Sequence, residues 1–247
     1  MIRPSRLGSS PTSLPSALPN LFFIMYTQDQ LKQQVAAAAI DFILPKLSAD
    51  TILGIGTGST VDMFIDALAQ HKGAFKAAAS SSERSTLRLQ QHGIEVLDLN
   101  QIQSMDWYID GADEIDGQLN MTKGGGGALT REKIVASVAQ HFLCIVDDSK
   151  VVQQLGAFPL PIEVIPMARQ SVTRRLEQLG GTVKWRADFV TDNGNDIIDV
   201  HGLAITEPAQ FESKINDIPG VVCCGLFALT GASVALVATQ NGVTTMS

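Results

Sequence analysis

Apolar positions along this chain change period several times, and the changes divide it into elements. Between Gln28 and Leu47 the apolar residues recur at helical spacing, with Asp29 placed to cap the start. Thr51 to Gly56 (TILGIG) is a short apolar run closed by glycine, as expected of a buried parallel strand. Helical spacing returns over Ser59 to His71; Phe75 to Ala79 then reads as a strand, and Ser82 to Gln91 as a helix stopped by Gly93. Glu95 to Leu99 and Trp107 to Asp110 follow as strands, Lys133 to Ala139 continues a helix, and His141 to Val146 is another buried strand. This alternation predicts a Rossmann-like, doubly wound and mostly parallel sheet covered on both faces. Ligands bind such sheets at the carboxyl ends of the strands.

The rhythm changes at Pro159 to Pro166. Beyond it come a strand (Ile162 to Ile165), a helix (Arg169 to Leu179), strands at Val183 to Arg186 and Asp196 to Val200 around an Asp-Asn-Gly turn, a helix (Ala209 to Ile218) and a strand (Val221 to Leu226). That βαββαβ order predicts a second, smaller α+β domain of ferredoxin-like type. Gly231 to Thr239 is an apolar strand expected to return to the first sheet. The expected organisation is therefore a leader at 1–24, a Rossmann-like catalytic domain at 25–157 plus 229–247, and the small domain at 158–228.

Composition agrees with an α/β interior, since 45% of the residues are hydrophobic and only 6% aromatic. The net charge of −7 and a pI near 5.0 argue against a nucleic-acid partner, which requires a basic face. No stretch reaches the roughly 18–20 apolar residues of a membrane span. The three cysteines, Cys144, Cys223 and Cys224, have neither disulfide-framework nor CxxC spacing and read as reduced thiols of a cytoplasmic protein. The leader, Ser/Pro-rich with Arg3 and Arg6 and no acid, has the make-up of a transit peptide. The preferred reading is an extension upstream of a functional start at Met25.

Chemistry concentrates in three segments. Gly54 to Thr60 (GIGTGST) follows a strand and opens a helix, so its N–H groups and hydroxyls suit an anion; it is neither a dinucleotide fingerprint nor a Walker A loop. A plain capped turn would use the same residues. Asp110, Asp113, Glu114 and Asp116 crowd a short stretch of a chain that is only 17% charged. Their spacing does not match a calcium loop, and a strand-end position would aim Asp110 and Asp113 into the ligand crevice. Lys123 precedes four consecutive glycines, Gly124 to Gly127, whose entropic cost is justified only by close approach to a ligand or backbone, and Glu132 lies in the first turns of the next helix. Lys150 follows a later strand as another crevice candidate, and Ser80 to Ser82 read mainly as a helix cap. The histidines at 71, 92, 141 and 201 are dispersed, with no metal-ligand or triad spacing.

Taken in order, GIGTGST, SSS, DGADEID, KGGGGALTREK, DDSK and FPLPIEVIPMA closely resemble the A-type ribose-5-phosphate isomerases, from about Thr27 to the C-terminus. The resemblance implies interconversion of D-ribose 5-phosphate and D-ribulose 5-phosphate in the non-oxidative pentose phosphate pathway, with no metal or organic cofactor and a homodimer as the expected assembly. It implies Glu132 as the proton acceptor and substrate contacts from Thr57, Gly58, Ser59 and Thr60, from Asp110, Gly111, Ala112 and Asp113, from Lys123, Gly124, Gly125 and Gly126, and from Lys150 and Lys32. Asp110 with Asp113 would open the sugar ring, and Lys123 with the glycine N–H groups would stabilise the oxyanion of an enediolate. Glu114 and Asp116 receive no catalytic role. Gly127 stands where the family often has alanine, a small-for-small change. An amino-sugar-phosphate deaminase or a non-catalytic sugar-phosphate sensor could share the sheet and phosphate loop, but KGGGGALTREK argues against the first, and no DNA-binding module accompanies the second.

Overall fold

The computed structural model describes residues 25–247, so the expectations for the leader at 1–24 lie outside the described residues. Helix α1 (Gln28–Ile43) is started by Thr27 rather than Asp29. The Thr27 hydroxyl accepts from Gln30 N at 3.3 Å and Gln30 Oε1 accepts from Thr27 N at 2.8 Å, a reciprocal capping box. Strand β1 (Ile52–Ile55), helix α2 (Ser59–Leu68), strand β2 (Ala77–Ser80) and helix α3 (Glu83–Gln91) follow, then strand β3 (Met105–Asp110). The strand expected at Glu95 to Leu99 reduces to one bridge, Ala78 with Val96, before a short 3-10 turn. Asp98 accepts from Asn100 N there at 2.9 Å and ends the extended backbone.

Two short strands, β4 (Glu114–Ile115) and β5 (Met121–Thr122), form an antiparallel hairpin that the sequence pattern does not announce. Its turn is built by Asp116, which accepts from Gln118 N, Asn120 N and Asn120 Nδ2. Helix α4 (Leu129–Val138) runs directly into strand β6 (Ala139–Asp147). Strand β7 (Leu160–Val164), helix α5 (Arg169–Gln178), strands β8 (Thr182–Trp185) and β9 (Asp196–His201), helix α6 (Pro208–Asn216) and strand β10 (Val221–Cys224) come next. The strand expected at Val221 to Leu226 splits at Gly225: Leu226–Phe227 form β11, which pairs with β5 instead. Strand β12 (Val234–Thr239) and the polar hairpin strand β13 (Gly242–Met246) end the chain.

The main sheet has the order β13-β12-β6-β3-β1-β2, parallel except for β13. Period-two alternation feeds two cores. Leu53, Ile55, Ile109, Leu143, Ile145 and Leu236 face α1 and α2, whereas Tyr108, Phe142, Cys144, Val146, Ala235 and Val237 face α4 and the β4–β5 hairpin. The second sheet, in the order β10-β7-β9-β8, is wholly antiparallel and packs α5 and α6 over a core of its own that includes Ile162, Val164, Val172, Leu176, Ile198 and Ile215. Among the described residues no helix is long and apolar enough to cross a membrane.

Candidate active site

A cavity of about 230 Å³ opens at the carboxyl ends of β1, β3 and β6. Its first wall is the β1–α2 loop, Thr57 to Thr60, joined by Lys32 from α1. Neither Ser59 nor Thr60 caps α2: the cap is Gly58, with φ 110° and no side-chain hydrogen bond, so the helix presents uncapped N–H groups. Ser82 caps α3 by accepting from Ser85 N at 3.1 Å, and its hydroxyl donates to Thr57 Oγ1 at 3.0 Å, fixing the threonine at the cavity edge.

The second wall comes from Gly111 to Asp113, Lys123 to Gly126, Glu132 and Lys150. Asp147 at the end of β6 also lines it, with Ile145 and Val146, a contribution unread in the sequence because those two side chains look like ordinary strand core. Asp147 accepts from Ser149 N at 3.0 Å and so shapes the turn that carries Lys150.

The structure departs from expectation at Asp110. Its carboxylate is fully buried and does not line the cavity. It accepts from Lys123 Nζ at 2.7 Å, Gly111 N at 2.7 Å, Thr57 N at 3.1 Å and the Tyr108 hydroxyl. Those four donors leave it no free face for a sugar hydroxyl. Gly56 makes room for it, since a Cβ there would stand 1.9 Å from Asp110 Cγ. Glu114 is likewise structural, accepting from Thr122 Oγ1, Gly156 N and Phe158 N.

Lys123 is the hinge of the site's electrostatics. Its ammonium donates to Asp110 and, at 2.6 Å, to Gly111 O, and stands 3.2 Å from Glu132 Oε2. Burial alone would pull its pKa down, but Asp110 and Glu132 outweigh burial and raise it, so the lysine is a cation at any working pH. Glu132 Oε2 is buried and makes no hydrogen bond within the protein, its nearest charge being the Lys123 ammonium at 3.2 Å. Burial, only partly offset by Lys123 and reinforced by Asp110, pushes the Glu132 carboxyl up to about 8. A carboxylate of that basicity with a free lone pair on a cavity wall is suited to removing a proton from carbon. Asp113 is also raised, by burial first, against a lowering hydrogen bond from Gly125 N (2.7 Å to Oδ2) and the charges of Lys123 and Lys150.

Residues from the second sheet complete the surroundings. Arg186, just after β8, donates to the Gly124 and Gly125 carbonyls, and the Phe189 ring lies against Gly127. Gly127 has φ 85°, and a Cβ there would come 2.2 Å from Phe189 Cζ, so this glycine is not an interchangeable small residue. Helix α4 is tied down on both sides of Glu132. Thr130 donates to the buried Glu163, which also accepts from Thr191 Oγ1 (2.9 Å), Asn193 Nδ2 (3.1 Å) and Asn195 Nδ2 (2.8 Å), while Lys133 bonds Glu212 and Leu226 O. The sequence holds no local signal for Arg186 or Glu163, because their partners lie tens of residues away.

Known proteins place the chain. The family model for ribose 5-phosphate isomerase A (phosphoriboisomerase A) matches residues 77–242. Ribose-5-phosphate isomerase A of Bordetella avium is 60% identical over 223 residues, covering 90% of this chain and 100% of that protein. The crystal structure of ribose 5 phosphate isomerase A from Neisseria gonorrhoeae superposes with a TM-score of 0.86 at 44% identity, covering 90% of this chain and 98% of that one. A D-ribose-5-phosphate isomerase in complex with phospho-erythronic acid gives a TM-score of 0.85 at 34% identity, covering 90% of this chain and 100% of that one. The chain belongs to the ribose 5-phosphate isomerase A family, whose members interconvert ribose 5-phosphate and ribulose 5-phosphate in the pentose phosphate pathway.

Proposed function

We propose that this protein carries out the isomerisation through an enediolate, with Glu132 as the base. The observation that carries this reading is the buried, unpartnered Oε2 of Glu132 beside the Lys123 ammonium on the cavity wall. The substrate phosphate sits against the uncapped N-terminus of α2, held by Thr57, Gly58, Ser59 and Thr60 with Lys32 and Lys150 as counter-charges. Asp113, which lines the cavity, is better placed than Asp110 to take the anomeric hydroxyl proton and pass it to the ring oxygen as the bond between C1 and that oxygen breaks. In the open aldehyde Glu132 removes the C2 proton, and negative charge moves to O1. Lys123 has three N–H bonds; two are committed to Asp110 and Gly111 O, which leaves the third for that oxygen. Glu132 then returns its proton to C1 as the O2 hydroxyl proton passes to O1, giving the ketone with a C1 hydroxyl.

Changing Glu132 to Gln tests the assignment. The variant retains binding of phospho-erythronic acid, whose carboxylate presents two oxygens in place of the enediolate pair, and loses about 10³ in kcat, within the ~10²–10⁴ range of a general base. Near wild-type turnover would sink the reading. No metal or organic cofactor enters this scheme: Asp113 handles the ring-opening proton, Glu132 carries the carbon proton, and the O2 proton moves within the substrate.

Further readings go with it. Residues 25–157 plus 229–247 act as one Rossmann-like catalytic domain and 158–228 as a ferredoxin-like domain, which the separate core beneath α5 and α6 supports. Two copies form a homodimer in the cytoplasm. Exposed Ile165, Met167 and Val222 near the β10 edge supply apolar surface for such a contact.

A further inference from the structure

The loop from Lys123 to Leu129 has to present peptide N–H groups to the cavity, and its one internal backbone bond is a turn in which Gly127 N donates to Gly124 O at 2.9 Å. Its carbonyls are held from behind. Arg186 Nη1 donates to Gly125 O at 3.1 Å and Gly124 O at 3.4 Å, with Nη2 also reaching Gly124 O at 3.4 Å. Asp199 on β9 holds the same guanidinium through Nε and Nη2, each at 2.6 Å. In a trans peptide the carbonyl of one residue and the N–H of the next point in opposite directions. Fixing the Gly124 and Gly125 carbonyls therefore fixes the N–H groups of Gly125 and Gly126. The first donates to Asp113 Oδ2 at 2.7 Å; the second has no protein acceptor among the described residues and belongs to a cavity-lining residue.

We propose that Arg186 is a positioning residue for the reaction: contributed by the small sheet and braced by Asp199, it aims the Gly126 N–H at the developing oxyanion and keeps Asp113 in place through Gly125. A fork of donors in fixed geometry is needed to grip two successive carbonyls, which lysine does not offer. The inference rests on the glycine loop being the oxyanion site of the proposed mechanism.

The test compares wild type with Arg186→Lys and Arg186→Ala. Both lose about 10- to 100-fold in kcat, somewhat less than removal of a whole oxyanion donor (~10²–10³) because the loop remains. The KM for ribose 5-phosphate changes less than about threefold, since the phosphate is held elsewhere. Phospho-erythronic acid binds about tenfold more weakly, whereas inorganic phosphate competes as in wild type. Added guanidinium restores part of the turnover of Arg186→Ala and none of Arg186→Lys, whose ammonium fills the gap. Turnover within twofold of wild type in both variants overturns the proposal, and so does a loss matched by equal weakening of phosphate and phospho-erythronic acid or by the unfolded fraction in urea. If Glu132→Gln is inactive while the Arg186 variants are fully active, only the role of Arg186 falls; an active Glu132→Gln removes the mechanism beneath it.

Discussion

Replacing Asp110 by asparagine separates two roles for that carboxylate. Asp110 and Glu132 approach the same Lys123 nitrogen at 2.7 and 3.2 Å, so their charged oxygens lie no more than about 6 Å apart. At an effective dielectric constant near 20, two unit charges at ~6 Å repel by about 3 kcal/mol, or about 2 pKa units. Asp110→Asn removes that repulsion and leaves Glu132 as the only carboxylate in contact with Lys123. Both changes bring the Glu132 carboxyl down from about 8 toward its ordinary 4.5. Because the base must be ionised, kcat/KM of the wild type rises with pH until about 8, and that of the variant levels off about 2 units earlier. At pH ~7 the ionised fraction goes from roughly a tenth to roughly nine-tenths. The plateau itself falls, since a less basic carboxylate draws a carbon proton less readily. The same ionisation bears on stability: with the folded pKa above the unfolded one, the contribution is full below about 4.5 and is lost as pH rises through about 8, a loss that the variant reduces. Initial rates with ribose 5-phosphate from about pH 5.5 to 9.5 provide the measurement, and the substrate's own phosphate ionisation near 6 is common to both proteins. An acid limb that stays at the wild-type pH, or moves up, refutes the argument. Uniform loss at every pH with an unmoved limb would make Asp110 the ring-opening group that its sequence position suggested.

Gly127→Ala is expected to lower stability by about 1–2 kcal/mol for the left-handed backbone alone, with displacement of the Phe189 ring adding to it. Adding Phe189→Val recovers only the second part, so urea midpoints that fail to improve in the double variant would show the ring contact to be slack. Glu163→Gln puts an amide donor among four donors from Thr130, Thr191, Asn193 and Asn195 and should cost about 1–3 kcal/mol, read as a shift in the urea midpoint at constant slope. An unchanged midpoint would mean that the network re-forms around the amide.

The main sheet was legible because its strands carry buried apolar runs, closed by glycine after Ile52–Ile55 and by the Asp147–Lys150 turn at the end of Ala139–Asp147. The β4–β5 hairpin was hidden for the opposite reason: with two residues per strand it has no periodicity, and its turn-forming Asp116 and buried Glu114 were counted into a cluster of acids. Polar β13 has no buried face to betray it. At the site, residue types and spacing pointed to the segments lining the cavity, since phosphate and oxyanion binding draw on local backbone chemistry. They could not show that Asp110 is saturated by donors from Thr57, Tyr108, Gly111 and Lys123, because saturation is a tertiary fact. Arg186 is invisible in sequence for the same reason.

Strands β6 and β12 are parallel neighbours joined by more than eighty residues that contain the whole antiparallel sheet. That unit enters and leaves the main body at adjacent points, since Gly225 N donates to Pro161 O at 2.8 Å. Once it has folded on its own core, the span still to be closed before β12 can dock shrinks to roughly twenty residues, a saving of about 1 kcal/mol in chain entropy. The small sheet is thus a clasp as well as a wall. It shortens the search by which the last parallel strand finds its place, and the order of assembly it favours has the clasp shut before the catalytic sheet is complete.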